Sequence, residues 1–318
     1  MKRGLLATRP ATAPGQPASV AVKRRRPTTT RPARTDTALG FDALRGPFAK
    51  AARWLVYLLL VVIFAGPLLA LLVNAFTPVL DPTRLTLIPT RFTFGNFTEA
   101  FHRDVLRYLA NSFIVVGGGL LLQILVSVSA AYALARKKFP GLRLVFLLIL
   151  STLMLPEEIL AIPLSLVLAD VPVVHVDLIG TLAGMIIPVG AWAFSILVMT
   201  EFMREIPVEL EEAARLDGAG DLRIFWSVVL PLCRPALGVI GIFGFTMIWD
   251  QYMLPLLVAQ DSAQFTLPLA LRTLRSDETV GIGVLLAASL LALLPSVIAF
   301  LVMQRQFMRG LTSGAIKG

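Results

Sequence analysis

Six apolar stretches dominate the sequence, and each is long enough to cross a lipid bilayer, which takes about 20 residues of helix. They are residues 54–76, 108–135, 143–169, 178–202, 236–259 and 280–303. Because 56% of the 318 residues are hydrophobic and only 15% are charged, the chain has too little polar surface for a soluble domain. The sequence therefore predicts an all-α integral membrane protein with six transmembrane helices.

The chain offers few residues that could perform bond chemistry or hold a metal. Its single cysteine, Cys233, excludes an internal disulfide framework, and His102 and His175 are too few and too far apart to predict a metal site. No Gly-x-x-x-x-Gly-Lys-Ser/Thr segment is present to cradle a phosphate. We expect no catalytic residue, metal or cofactor in this chain, so any ATP that powers it must be bound by another polypeptide.

The net charge of +9 is concentrated in one region of the chain. Of the 29 Lys and Arg residues, 12 precede Trp54 in a tail rich in Pro, Thr and Ala, which cannot bury a core. We predict that this tail, residues 1–53, is disordered and that Lys23–Arg26 holds it at an anionic membrane surface rather than binding nucleic acid. The long polar stretch before the first apolar segment argues against a cleavable signal peptide.

Positive charge also predicts the orientation in the membrane. An even number of spans places both termini on one side. The two tails, the 136–143 turn and the 203–235 loop hold 23 Lys and Arg residues, whereas the segments on the opposite side hold 6. Because Lys and Arg accumulate on the cytoplasmic side, we predict that both termini and the 203–235 loop are cytoplasmic.

The long cytoplasmic loop is polar but retains helical order. Leu210, Ala213 and Ala214 share one face of a predicted helix. Gly218 is expected to end this helix, since glycine adopts the left-handed conformation of a C-terminal cap without strain.

A second short helix is predicted to follow in the same loop. Asp221 is expected to cap it, Ile224, Phe225 and Val228 to form its apolar side, and Pro231 to stop it. Two short helices joined at a glycine form a knob that could dock into a groove on a partner. The alternative is an amphipathic loop that lies on the membrane surface.

The residues of this loop carry a family resemblance. In order they read Glu212-Ala213-Ala214, Asp217-Gly218-Ala219, Phe225, Leu230-Pro231 and Pro235. This string resembles the EAA loop of the permease subunits of ABC importers, the cytoplasmic element that contacts the ATPase. By this resemblance Glu212 is a charged anchor in the ATPase groove, and Gly218 sets the shape of the turn. Ala213 and Ala214 allow close approach.

The resemblance implies a fold and a set of partners. The fold is the type I (MetI-like) ABC importer permease fold, with six transmembrane helices and a cytoplasmic EAA coupling helix. The expected partners are a second permease subunit, two copies of an ATPase that binds ATP and Mg, and an extracytoplasmic solute-binding protein. ATP-driven closure of the ATPases would move the docked loop and so work the outer gate.

Charged residues inside the apolar stretches are few. The third stretch carries Pro156-Glu157-Glu158 followed by Pro163, and the fifth carries Trp249-Asp250-Gln251-Tyr252 followed by Pro255. A carboxylate at mid-bilayer costs at least ~2.5 kcal/mol and usually faces a cavity or a partner, and proline breaks free carbonyls that only a lined site tolerates. We predict that the carboxylates border a translocation pathway near its outer half; the alternative is that they are solvated at the headgroup boundary.

The fifth stretch resembles a segment of carbohydrate permeases that generally reads Trp-Asn-x-Phe/Tyr. Here Asp250 replaces the Asn, so the role of the Asn does not transfer directly. The predicted pathway residues are Glu157, Glu158, Trp249, Asp250 and Tyr252.

Two outward segments are also similar to those of sugar-type permeases. Residues 94–101 resemble the short helix that precedes the second span, and Asn111-Ser112 lie near the start of that span. Residues 265–269 resemble an outward loop of the same subfamily, followed by Arg272 and Arg275, which could meet an anionic solute or the binding protein.

The C-terminal residues 304–318 resemble the ending of permeases of the MalG class, where the tail can reach between the ATPase subunits. The residues predicted to make this contact are Gly310, Leu311, Gly314 and Lys317. From the residues alone, the segment is a flexible, glycine-rich, positively charged tail.

The function implied is that of a non-enzymatic permease subunit that imports a sugar or oligosaccharide. Glycerol-3-phosphate or a related polyol phosphate is the alternative solute. A secondary transporter would need ion-coupling carboxylates and usually an internal repeat, which the sequence does not display convincingly. A membrane-embedded enzyme would have only Glu157, Glu158 and Asp250 to use.

Overall fold

A computed structural model describes the backbone of residues 47–78, 86, 88 and 91–315. The chain divides into two compact units, Met1–Leu60 and Val61–Gly318, and the packing of interest lies in the second unit. Throughout the described residues the regular secondary structure is helical, without a strand, which confirms the all-α prediction.

The α-helices follow one another along the chain with short breaks. They are α1 Pro47–Ala75, α2 Gly95–His102, α3 Val105–Arg136, α4 Leu142–Thr152, α5 Glu157–Ala169, α6 Leu182–Ile186, α7 Ala193–Glu205, α8 Glu209–Leu216, α9 Asp221–Ile224, α10 Leu230–Leu232, α11 Arg234–Trp249, α12 Met253–Val258, α13 Leu267–Ser276 and α14 Ile282–Ala315.

Four helical segments of the described residues are long and apolar enough to cross a membrane. They are Lys50–Ala75, Val105–Arg136, Leu182–Glu205 and Ile282–Val302. Two bent helix pairs also pass the same test, so the number of spans rises to at most six if each pair counts as one. The chain therefore has membrane-spanning helices, and a count of six stays a prediction.

The third predicted span is not one helix. Helices α4 and α5 meet at 109° across a break at residues 153–156. Pro156 precedes α5 with an extended backbone, ψ 136°, because proline cannot donate the next helical hydrogen bond and disfavours helix at the residue before it. The break therefore occurs at Pro156, and α5 runs through Pro163 without ending there.

The fifth predicted span, 236–259, is also interrupted. Helix α11 ends at Trp249, and α12 begins at Met253. Pro255 lies in the first turn of α12, where its missing N–H is tolerated, but it cannot donate to the carbonyl four residues earlier. The helix therefore cannot continue, and residues 250–252 form a non-helical step.

The outer boundaries of the first and last spans also differ from the prediction. Helix α1 begins at Pro47 rather than Trp54, and α14 continues through Ala315 rather than ending at Met303. The predicted basic tail up to residue 46, including Lys23–Arg26, lies outside the described residues, as does Lys317.

Helix α3 is the centre of the packing and lies against α6, α7, α11 and α13. The backbones approach closely at Gly119, where an added Cβ would lie 2.7 Å from Val189 Cγ2. An added Cβ would also clash with Ile186 at Gly118 and with the Leu178 carbonyl at Gly184, whereas at Gly117 it would meet nothing within 4 Å. Buried side chains of α3, α5, α6, α11, α12 and residues 188–190 form one apolar core: Val115, Val116, Leu168, Met185, Val189, Ile248, Trp249, Leu254 and Val258.

The predicted short helix before the second span is present as α2. Near the start of α3, Asn111 Nδ2 donates to the carbonyl oxygens of Ala263, at 2.9 Å, and Phe265, at 3.0 Å. Ser112 Oγ accepts a hydrogen bond from the Leu267 amide at 2.8 Å. These two side chains therefore fix the 263–267 loop to α3.

Candidate functional site

The loop between α7 and α11 folds as the predicted pair of short helices. Helix α8 ends at Leu216, and Gly218 follows with φ +82°, the left-handed conformation expected of it. The Gly218 amide donates to the Arg215 carbonyl and the Ala219 amide to the Ala214 carbonyl, both at 3.0 Å. We call residues 209–232 the coupling knob.

The second half of the coupling knob differs from the prediction in two details. Gly220, not Asp221, is the cap of α9, because the Asp221 carboxylate turns instead toward two cations. The second helix is also not regular, because a π-helical turn at residues 225–229 separates α9 from α10. Helix α10 ends at Leu232, one residue after Pro231, and the chain bends by 73° into α11. The predicted stop at Pro231 is therefore confirmed to within one residue.

One face of the coupling knob is open to solvent. Glu212, Ala213, Asp217 and Gly218 are exposed, and Leu216 is 90% exposed. A side chain this exposed is available to a partner that docks on this face. Leu216 was missed in the sequence, although it lies three positions after Ala213 and therefore on nearly the same helix face.

The opposite face of the coupling knob packs against the membrane helices. The predicted coupling residues on this side are partly buried: Ala214, Ala219, Phe225, Leu230 and Pro231. The rings of Phe225 and Tyr132 of α3 have centroids 5.0 Å apart. Ala214, Ala219, Phe225 and Leu230 pack against a buried apolar cluster that includes side chains of α3 and α7, which holds the knob in place.

A buried ion pair joins the coupling knob to the end of α3. Arg136 Nε lies 2.6 Å from Glu211 Oε1, and the two side chains are only 8% and 3% exposed. The two atoms are not aligned as a linear hydrogen bond, so the contact is mainly one of charge. Arg136 Nη2 also donates to the Ile206 carbonyl at 2.7 Å, which ties the end of α7 to the same guanidinium.

A second, exposed group of charges lies beside this pair. Lys137 Nζ is 2.5 Å and Arg215 Nη2 is 3.3 Å from the Asp221 carboxylate. The hydrogen bond from Lys137, and then its charge, lower the pKa of the Asp221 carboxyl, so it stays ionised at neutral pH. Sequence reasoning missed Arg136, Lys137 and Glu211, because their pairing depends on tertiary contacts.

A cavity of about 310 Å³ lies where the two helix breaks meet. Its walls come from α4, α5, α7, α11, α12 and the segments between them, and are mostly Leu, Met, Ala and Pro. The polar or aromatic groups that line it are Thr152, Glu157, Trp192 and Gln251. Gln251 Nε2 donates to Glu157 Oε2 at 3.4 Å, so this hydrogen bond joins the two breaks directly. We call this space the break cavity.

Comparison with known proteins decides the family. Residues 123–310 match the family described as "Binding-protein-dependent transport system inner membrane component". The chain belongs to this family of ABC importer permeases.

Two relatives match most of the permease. The melibiose/raffinose/stachyose import permease protein MelC of Bacillus subtilis is 33% identical over 86% of this chain and 100% of its own. The sn-glycerol-3-phosphate transport system permease protein UgpE of Yersinia pestis is 34% identical over 71% of this chain and 82% of its own.

A solved structure confirms the fold. The permease resembles a chain of a bacterial ABC transporter involved in the import of the acidic polysaccharide alginate, with a TM-score of 0.70. The match covers 83% of the permease and 99% of that chain at 23% identity. The permease therefore has the MetI-like importer fold and is a membrane protein.

The structure separates the five predicted pathway residues of the permease. Glu157, Glu158 and Asp250 are all exposed, but only Glu157 is among the residues that line the break cavity. Trp249 is only 3% exposed, and its Nε1 donates to the Ala292 carbonyl at 3.2 Å. Tyr252 lies under the Arg272 guanidinium, 4.4 Å from the ring centroid, in a different cavity.

Two lining residues were missed in the sequence. Gln251 belongs to the same motif as Trp249 and Asp250 but carries no charge to draw attention. Trp192 is an ordinary aromatic residue within an apolar stretch. Among the described residues, no group of three or more His, Cys, Asp or Glu is placed to hold a metal.

Proposed function

We propose that this permease forms half of the solute pathway of an ATP-driven, binding-protein-dependent importer and is worked through its coupling knob. The observation that carries the proposal is the division of the knob into two faces. One face exposes Glu212, Ala213 and Leu216, and the other is fixed to α3 by the buried Arg136–Glu211 pair. Because one face is free to bind the ATPase and the other is fixed to α3, a movement of the ATPase can be transmitted to the membrane helices.

The proposal includes the rest of the assembly. Two copies of an ATPase bind ATP and Mg and perform the hydrolysis, so the permease itself catalyses no bond chemistry. A second permease subunit forms the other half of the pathway, and a binding protein delivers solute from the opposite side of a bacterial inner or plasma membrane. Both termini face the cytoplasm, where Gly310, Leu311, Gly314 and Lys317 contact the ATPases.

The mechanism follows from the contacts at the knob. When the ATPases close, Glu212 and Leu216 move with the groove that holds them. Because Arg136 contacts both Glu211 and the Ile206 carbonyl, the motion reaches α3 and α7 together. Helix α3 packs against α6, α7 and α11, and α7 and α11 line the break cavity, so α3 can carry the displacement there.

The proposed solute is a sugar or oligosaccharide. The relative MelC is named for import of melibiose, raffinose and stachyose, and it matches the permease over more of its length than UgpE does. Glycerol-3-phosphate, for which UgpE is named, is the alternative.

Copurification of the ATPase tests the docking role of the knob without knowledge of the solute. Leu216→Asp places a charge on the exposed face and should reduce the ATPase retained by the purified permease at least about tenfold, the effect of losing roughly 1.4 kcal/mol of binding. Leu216→Met keeps an apolar contact of similar size and should retain the ATPase. Full retention by both Leu216→Asp and Ala213→Asp would overturn the proposal.

A further inference from the structure

We propose that the break cavity is a selectivity site that takes the neutral, hydroxyl-bearing part of the solute, and that Glu157 there disfavours anionic solutes such as phosphate esters. This inference rests on the proposed function, since it assigns a solute class to the pathway. It also decides between the two solutes that the relatives suggest.

The position of the break cavity supports a role in the pathway. Two helices in different parts of the sequence are interrupted at this place, at residues 153–156 and 250–252, and both interruptions contribute lining residues. Interrupted helices expose backbone groups that membrane lipid cannot satisfy, so such breaks occur beside protein or water-filled cavities. A volume of about 310 Å³ is at the lower end of the range of small-molecule sites, roughly 300–1,000 Å³.

The cavity wall carries negative charge and no positive charge among its described residues. Glu157 is the sole ionisable side chain among the described residues that line it, and none of those residues is Lys, Arg or His. Glu157 lies in the first turn of α5, where the helix dipole interacts favourably with a negative charge. Its side chain is exposed at the cavity wall, so an approaching phosphate would meet a like charge and be repelled.

Neutral hydroxyl groups meet suitable partners in the same place. The Glu157 carboxylate accepts several hydrogen bonds, and the Gln251 amide both donates and accepts. Their mutual hydrogen bond is long, at 3.4 Å, so it leaves both groups able to bind a solute. Trp192 also lines the cavity and adds an aromatic side chain that can pack against the carbon ring of a sugar.

The arginine that could attract an anion lies elsewhere. Arg272 stands over Tyr252 in a separate cavity of about 400 Å³, which also contains Asp277. Asp277 is paired with Arg103 at 3.1 Å. No described residue lines both this cavity and the break cavity, so Arg272 gives no direct contact that would neutralise Glu157.

Charged thiol reagents test the proposal in the assembled transporter. In a Cys233→Ala background, Thr152→Cys places a thiol in the cavity wall. We measure the rates at which the cationic reagent MTSET and the anionic reagent MTSES label this thiol. Each rate is divided by the rate at which the same reagent reacts with free 2-mercaptoethanol, which corrects for intrinsic reactivity. The corrected preference for the cation should be about fivefold, which corresponds to roughly 1 kcal/mol between attraction of the cation and repulsion of the anion.

The variants of Glu157 make the prediction specific. The preference for the cation should disappear with Glu157→Gln and reverse with Glu157→Lys. As a control, Ser276→Cys in the other cavity should give a ratio that does not respond to either Glu157 variant. An inert Thr152→Cys, or a ratio that Glu157→Gln leaves unchanged, would overturn the proposal.

A protection experiment then tests the solute class. Raffinose should slow labelling of Thr152→Cys by the neutral reagent N-ethylmaleimide, whereas glycerol-3-phosphate at the same concentration should not. Protection by neither compound, or by glycerol-3-phosphate alone, would contradict the selectivity site. If these results fail while Leu216→Asp still releases the ATPase, the importer assignment stands and only the role of the cavity is lost.

Discussion

The coupling knob and the break cavity use charge in opposite ways. At the knob, Glu211 is buried against Arg136, and Asp221 is held by two cations. In the break cavity, Glu157 meets only the amide of Gln251 among the hydrogen bonds that the structure describes. A paired charge fixes the position of a helix, whereas an unpaired carboxylate remains available to a passing solute. The difference assigns rigidity to the knob and selectivity to the cavity.

The largest expected effect comes from breaking the buried ion pair. Glu211→Ala leaves the Arg136 guanidinium buried without its partner, which typically costs about 3–5 kcal/mol of stability. The thermal unfolding midpoint of the purified complex should fall, and ATP hydrolysis should lose its stimulation by the binding protein. Both properties should return in part when the charges are exchanged in Arg136→Glu/Glu211→Arg.

A matched control for the buried pair lies on α7. Glu201 pairs with Arg204 at 2.8 Å, and both side chains are well exposed. Exposed pairs contribute little because water already solvates the charges, so Glu201→Ala should leave the midpoint and the stimulation close to wild type. Equal effects of Glu201→Ala and Glu211→Ala would remove the argument that the knob is anchored by burial.

Substitution of Gly218 in the turn of the coupling knob should have a smaller effect, which acts through backbone strain rather than charge. Gly218 has φ +82°, and an added Cβ would meet nothing within 4 Å. Gly218→Ala should therefore cost about 1–2 kcal/mol through backbone strain alone and reduce ATPase copurification. Gly220 also has open space but lies at φ −75°, so Gly220→Ala should leave copurification unchanged. If the two variants behave alike, the left-handed turn does not shape the docking surface.

Sequence reasoning succeeded where the determinant is local. The α2 helix and the left-handed Gly218 each depend on a few neighbouring residues, and the structure has both. Four of the apolar stretches are long helical segments, and the number of spans rises to at most six with the bent pairs. Proline breaks were expected in the third and fifth stretches, and both are interrupted, at residues 153–156 and 250–252, whereas Pro163 lies inside α5.

Sequence patterns did not predict contacts between residues that are far apart in the chain. Arg136 and Glu211 each look like an ordinary charged residue near a helix end, and only the position of α8 beside the end of α3 brings them together. Gln251 and Glu157 are similarly far apart in the sequence. The role of Trp249 was inferred from a motif, which indicates where a residue occurs but not which way its ring points.

Substitution of Trp249 can show whether this residue stabilises the core or lines the pathway. Its ring stacks on Phe245, with centroids 5.6 Å apart, and its indole N–H donates to the Ala292 carbonyl. Trp249→Phe keeps an aromatic ring and loses the hydrogen bond, which should cost about 1 kcal/mol and lower the unfolding midpoint slightly. The labelling ratio at Thr152→Cys should not change. A change in that ratio without a loss of stability would place Trp249 in the pathway instead.

The smallest expected effect concerns the exposed charges of the coupling knob. Lys137→Gln removes one cation from Asp221, but Arg215 still lies 3.3 Å away and water solvates the carboxylate. ATPase stimulation should fall only slightly, and the difference from wild type should vanish at high salt, since exposed charges are screened within about 10 Å at 0.1 M ionic strength. The effect of Glu211→Ala should persist at the same salt concentration, because burial excludes the screening ions. Salt dependence thus separates the exposed charges from the buried pair. If Lys137→Gln impairs ATPase stimulation as much as Glu211→Ala does, and high salt does not remove the defect, the exposed charges transmit the motion as well.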